Sequence, residues 1–198
     1  MLQLSYQNIK AVNPDMIVIS GAMTPAGSVG NLAIDDIDYL NQMYANGAKG
    51  YFDALGAHPS GYNCPAEADW QTVQDPTATN FRGPFENRHH SWCLRGTLEG
   101  YRNVMVANGD GGKAIVPTEF GWPVCSNCAV GYEYGRDNTL EEQAQWTVQA
   151  YQWAKQQGWV GPMILWNLDY GVTAPGKELA AFGIINTPAY VALAGMSK

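Results

Sequence analysis

Lys113-Ala-Ile-Val-Pro-Thr-Glu119-Phe-Gly-Trp122-Pro123 is the stretch on which the reading of this chain turns. A short apolar run of strand length ends on a carboxylate, and Gly121 then lets the backbone turn sharply. Three other segments share its character. Asp15-Met-Ile-Val-Ile-Ser-Gly21 is apolar without alternation, as expected of a strand buried on both faces. Tyr51-Phe-Asp-Ala-Leu-Gly-Ala-His58 and the run from Gly161 to Asn167 complete the set.

Between these segments the apolar period changes to that of a helix. Leu4 to Val12 reads as a helix stopped by Asn13-Pro14, and Ile34, Ile37, Leu40, Tyr44 and Ala48 as a second, closed by Asn46-Gly47. Leu94, Leu98, Tyr101 and Met105 mark a third, ended by Asn108-Gly109. Thr139-x-x-Glu142 is a capping box, because hydroxyl and carboxylate can each satisfy an orphan backbone N–H. It opens a helix with an expected buried stripe of Leu140, Ala144, Val148, Tyr151 and Ala154, ended by Gly158. A last short helix is expected from Pro188 to Met196, with the proline in its first turn. The order is a helix followed by four βα units, which predicts right-handed crossovers and a parallel α/β sheet. Residues 1–198 read as one domain, interrupted by a long irregular loop over about 59–93.

Composition narrows the function. A net charge of −7 and scattered basic residues argue against nucleic acid, and no apolar run is long enough to span a membrane. The first residues lack the basic and apolar regions of a signal peptide. Seven Trp and eleven Tyr suit either a core or a surface that stacks flat rings on a ligand. Cys64, Cys93, Cys125 and Cys128 all fall in expected loops. They allow two disulfides, with three connectivities, and so an oxidising, secreted setting; a cysteine zinc site is the alternative.

Active groups of a parallel α/β sheet gather where strands end. The strand ends here carry Thr24, His58, Tyr62, Glu119, Trp122, Trp166, Asn167, Asp169 and Tyr170. Glu119 alone could be a solvated strand-end carboxylate, but its neighbours point to a carboxylate held for attack on an anomeric carbon. Trp166 reads as a core residue or as a platform for the apolar face of a sugar. His58 reads as a satisfied strand-end histidine or as a partner of Glu119 or of a sugar hydroxyl. His89-His90 looks like a metal pair but sits in a loop without matching ligands, and is read as structural or incidental.

These strand ends resemble the second half of glycoside hydrolase clan A, the retaining (β/α)8 enzymes that include cellulases, mannanases and β-xylosidases. The resemblance is carried by Asn13-Pro-Asp-x-x-Ile-Val-Ile-Ser-Gly21, Tyr51-Phe-Asp-Ala-Leu-Gly-Ala-His-Pro59, Thr118-Glu-Phe-Gly-Trp122 and Leu165-Trp-Asn167. It implies half of a (β/α)8 TIM barrel, its fifth to eighth strands. Glu119 would be the nucleophile toward β-linked sugars, Trp166 the floor of the sugar subsite and His58 the sixth-strand histidine. Tyr62, Trp122, Asn167 and Tyr170 complete the expected substrate-binding set. Neither cofactor nor metal is implied.

Two departures stand out. Many clan members carry a Tyr two residues after that His to orient the nucleophile; here the position is Ser60, so the role is vacant or falls to Tyr62. The clan's acid/base follows an Asn at the end of the fourth strand, in the half that is absent. Glu133, Glu86, Asp53 and Asp169 are the chain's own options for a second carboxylate. An open four-stranded sheet exposes two edges, so a homodimer or a missing N-terminal half is the expected partner, with an oligo- or polysaccharide as ligand. A non-catalytic carbohydrate-binding remnant is the rival reading, and a redox or zinc protein built on Cys125-x-x-Cys128 a third.

Overall fold

The computed structural model describes residues 1–80 and 88–197. Its regular elements are α1 (Leu2–Val12), α2 (Asp36–Ala45), β1 (Leu55–Ala57), α3 (Leu94–Ala107), β2 (Ile115–Pro117), α4 (Leu140–Gln157), α5 (Tyr170–Thr173) and α6 (Pro188–Gly195). β1 and β2 pair in parallel, with Leu55 opposite Ile115 and Ala57 opposite Pro117. The two outer segments join this core ladder through single parallel bridges. Ile19 and Met23 bridge Ala54 and Ala57 on one side, while Val160 and Leu165 bridge Ile115 and Phe120 on the other. Four parallel segments therefore lie side by side in chain order, as the alternation predicts.

The expected strands are longer than the observed ladders, for local reasons. Ser20 Oγ takes the Gly56 N–H at 3.0 Å, where a regular ladder would use a backbone carbonyl. A Cβ on Gly56 would lie 2.5 Å from Ser20 O, so the approach of these segments requires glycine. Pro117 and Pro162 supply no N–H to the third and fourth segments. Their pairing instead alternates around the prolines, through Gly161 N to Ile115 O at 2.7 Å and Ile164 N to Pro117 O at 2.8 Å.

The helix signals act as written. Thr139 and Glu142 form the reciprocal capping box of α4, and Gly47 and Gly158 end their helices in left-handed conformation. The buried face of α4 differs from the expected stripe. Trp146, Ala150 and Trp153 are buried with Ala144 and Ala154, whereas Leu140 is 40% exposed. Trp146, absent from the expected stripe, is part of this face, with its ring 5.9 Å from that of Trp122. α2 also starts later than Ile34, because Asp35 caps it by accepting from Ile37 N and Asp38 N.

Cys64 pairs with Cys93 and Cys125 with Cys128, which resolves the connectivity and leaves no cysteine for zinc. The first bridge ties the long loop to the start of α3. Ile17 (70% exposed), Ile19, Ile164 and Leu168 remain uncovered along the two outer segments.

Candidate active site

The parallel segments deliver their groups to the same rim. The turn after β2 carries Glu119, and its tight course follows from Gly121, where a Cβ would meet Trp166 O at 2.4 Å. The turn after β1 carries His58, Ser60 and Tyr62; the last segment carries Trp166. All of these line one cleft of about 420 Å³ with Glu119. That volume lies in the usual range of small-molecule clefts.

His58 Nδ1 lies 3.7 Å from Glu119 Oε2 and 3.4 Å from Thr24 Oγ1. The histidine thus stands between a hydroxyl and the carboxylate. It is the charged-type neighbour of Glu119 among the described residues. The glutamate side chain is 41% exposed and opens into the cleft.

Tyr62 is held with care. Its φ of 52° is unusual for a residue with a side chain. Asn138 Nδ2 donates to Tyr62 O at 2.7 Å and to Pro123 O at 2.8 Å, tying this turn to the one after Glu119. Gln143 Nε2 adds a bond to Trp122 O at 2.7 Å. Asn138 immediately precedes the cap of α4 and Gln143 lies just inside the helix, so the capped end of α4 ties down two rim turns. Burial, then the charges of Asp36 and Tyr132, push the Tyr62 hydroxyl up to about 12, so it stays a neutral donor. Its ring packs 4.9 Å from that of Tyr134.

Three expected site residues sit elsewhere. Trp122 is 1% exposed and donates from Nε1 to Cys64 O at 2.8 Å, so it is a core pillar beneath the rim. The space above it is taken by Gly61, where a Cβ would lie 1.9 Å from the indole. Asn167 spends its amide on the chain, donating to Leu179 O at 2.9 Å and accepting from Tyr170 N at 3.1 Å. Tyr170 rests on Trp166 with centroids 5.6 Å apart, behind the cleft.

Conversely, the sequence reading missed Tyr132, Tyr134 and Phe182, which form an aromatic wall opposite the loop 24–33. Tyr132 and Tyr134 follow the Cys125–Cys128 bridge and Phe182 ends a short 3-10 turn after α5, and neither stretch carries a periodic signal.

None of the other candidate carboxylates among the described residues lines the cleft. Asp53 is paired with Lys10 at 2.7 Å and accepts from Val18 N and Tyr6 Oη. The Lys10 ammonium holds its carboxyl below the usual range. Glu133 accepts from Gly131 N at 2.9 Å. Asp169 anchors α5 through its backbone carbonyl. Glu86 lies outside the described residues. Among the described lining residues, Glu119 is the single carboxylate of the cleft.

No family model and no curated protein matches the sequence. Solved structures do. A family 39 glycoside hydrolase from the gut symbiont Bacteroides cellulosilyticus WH2 is similar over 97% of this chain and 36% of that one, with a TM-score of 0.58 and 18% identity. A glucosidase from Croceicoccus marinus is similar over 92% of this chain and 31% of that one, with a TM-score of 0.52 and 14% identity. The chain thus shares its fold with part of each of these two proteins. It spans about a third of the length of those two proteins.

Proposed function

We propose that this chain is the C-terminal half-barrel of a retaining glycosidase acting on β-linked sugars, with Glu119 as the nucleophile. The observation that carries the proposal is the meeting of Glu119, His58, Tyr62 and Trp166 in one cleft at the carboxyl ends of parallel segments. Trp166 offers an indole to the apolar face of the sugar, and Tyr62 a hydroxyl to its polar rim. Glu119 would attack the anomeric carbon, forming a glycosyl-enzyme ester that water then hydrolyses. His58 positions the carboxylate and, when protonated, balances its charge.

A retaining mechanism requires a second carboxyl about 5–5.5 Å from the first, to protonate the departing oxygen. The described lining of the cleft holds Glu119 alone, so the acid belongs to whatever covers the open edges. Four further βα units, in the same polypeptide or in a separate chain, fit that need. A second copy of this chain is the other occupant. The exposed Ile17, Ile19, Ile164 and Leu168 support one or the other.

The experiment is hydrolysis of aryl β-glycosides by the wild type and Glu119→Ala, with light scattering on the same samples. Turnover that vanishes in the variant supports the enzyme. The single lining carboxylate favours a second reading, sugar binding without chemistry. Oligosaccharide binding equal in both proteins, with turnover in neither, would establish that reading instead.

A further inference from the structure

Away from the cleft, Asp35, His89 and His90 bring three ligand-type atoms within 4.8 Å of one another. One oxygen, Asp35 Oδ2, lies 3.1 Å from His89 Nε2 and 3.2 Å from His90 Nε2. Adjacent residues in extended chain send their side chains to opposite sides. Here His89 is extended and His90 begins a 3-10 turn, which swings the second ring beside the first. Their centroids are 4.3 Å apart with a 36° tilt.

The spacing has a chemical meaning. With metal–ligand bonds of about 2.0–2.1 Å, neighbouring ligands of a tetrahedral zinc ion stand about 3.3 Å apart. Both measured separations are close to that edge.

Charge and bonding point the same way. The side chains of Asp35 and Asp36 are 16% and 1% exposed, and among the described residues their ion-pair partners are these histidines, with no Lys or Arg. Asp35 Oδ1 is committed to the α2 cap, accepting from Ile37 N at 2.9 Å and Asp38 N at 3.2 Å, which leaves Oδ2 for a metal. Asp36 Oδ1 stands 3.7 Å from His90 Nε2.

We propose that Asp35, His89 and His90 bind one divalent ion of the zinc class, with a fourth position for water. The donor set of two imidazoles and one carboxylate suits such borderline ions better than calcium or magnesium. Without metal, Ser91 N donates to His89 Nδ1 at 3.3 Å and Nε2–H faces Asp35. Loading moves that proton to Nδ1 and releases the Ser91 contact. The ion would staple the 89–92 turn to the start of α2. From there the bond of Ala26 N to Asp36 Oδ1, at 3.2 Å, reaches the loop that walls the cleft. The site is independent of Glu119 and of any hydrolytic activity.

The test uses the full 198-residue chain, free of tags and stripped with chelator, dialysed against zinc chloride and, separately, cobalt chloride. One zinc per chain is expected, with a raised Tm and a visible tetrahedral cobalt spectrum. His89→Gln and His90→Gln should each weaken binding by about tenfold or more, by analogy with lost metal-site contacts. His58→Gln removes the remaining histidine and should leave metal binding intact. Substoichiometric zinc, or affinity unchanged in both histidine variants, overturns the proposal. If the variants do not fold by circular dichroism, the wild-type cobalt spectrum decides, and an octahedral, water-like spectrum refutes the site.

Discussion

Replacing Asp137 by alanine should unlatch the long loop from the body of the protein. Its carboxylate accepts from Asn63 Nδ2 at 2.7 Å, Thr79 N at 3.0 Å, Thr79 Oγ1 at 2.8 Å, Asn80 N at 2.8 Å and Asn80 Nδ2 at 2.6 Å. Burial pushes the carboxyl up, but the bonds from Asn80, Thr79 and Asn63 outweigh it and hold the group below the usual range. These bonds differ in what they cost when lost. Thr79 and Asn80 sit near solvent and can rehydrate, whereas Asn63 is 1% exposed and would be left short of an acceptor. A bond to a charged group contributes about 1.5–3 kcal/mol and the rehydrating set about 0.5–1 kcal/mol more, so the loss is roughly 2–4 kcal/mol. For a chain of this size each kcal/mol moves Tm by about 2–4 °C, giving a fall of roughly 4–16 °C. Thermal melts followed by circular dichroism at neutral pH read this directly. The depressed pKa also fixes the pH dependence. The stabilisation is complete above the unfolded aspartate value of about 3.9 and is lost as pH falls through the folded value. Wild type and variant should therefore converge in acid. A loss below about 1 kcal/mol at neutral pH, or a gap that persists unchanged into acid, would refute the reasoning.

Two further predictions concern the frame of the site. Gly61→Ala places a methyl 1.9 Å from the Trp122 indole and should cost about 3 kcal/mol or more, measured by urea unfolding. Trp122→Leu in the same background should recover part of that loss if the collision is the cause. Breaking Cys64–Cys93, by Cys→Ser at both positions, frees a loop of sequence separation 29 and should cost about 3.5 kcal/mol on the chain-entropy account. Equal stability with and without reductant would contradict that.

Legibility in the sequence followed the range of the interactions. The α4 capping box and the glycines ending α2 and α4 are local, so three or four residues suffice to announce them. The strand-end rule singled out Glu119, His58, Tyr62 and Trp166, and these four line one cleft. It failed for Trp122 because the rule knows the end of a strand but not the direction of a side chain. Direction there is set by Gly61 and Trp146, distant in sequence and invisible to periodicity. The same blindness applies to Asp35. Nothing near His89-His90 in the chain foretells that the cap of α2 will supply a carboxylate to both rings.

The exposure of Glu119 and of the outer segments belong to one problem. A carboxylate 41% open to solvent keeps much of its hydration, and that water must leave before it can attack an anomeric carbon efficiently. The same opening leaves Ile17, Ile19, Ile164 and Leu168 in water, where their burial would favour association by about 25 cal/mol per Å² covered. On the proposed reading, a single event answers both. Whatever pairs with the outer segments removes apolar surface and closes the mouth above β1 and β2. It also brings the second carboxyl to within reach of the first. Hydrolysis should therefore rise with assembly rather than with the concentration of the isolated chain. A monomer that turns over substrate at a rate independent of protein concentration, with Glu119 required, would show that the acid lies within these 198 residues after all.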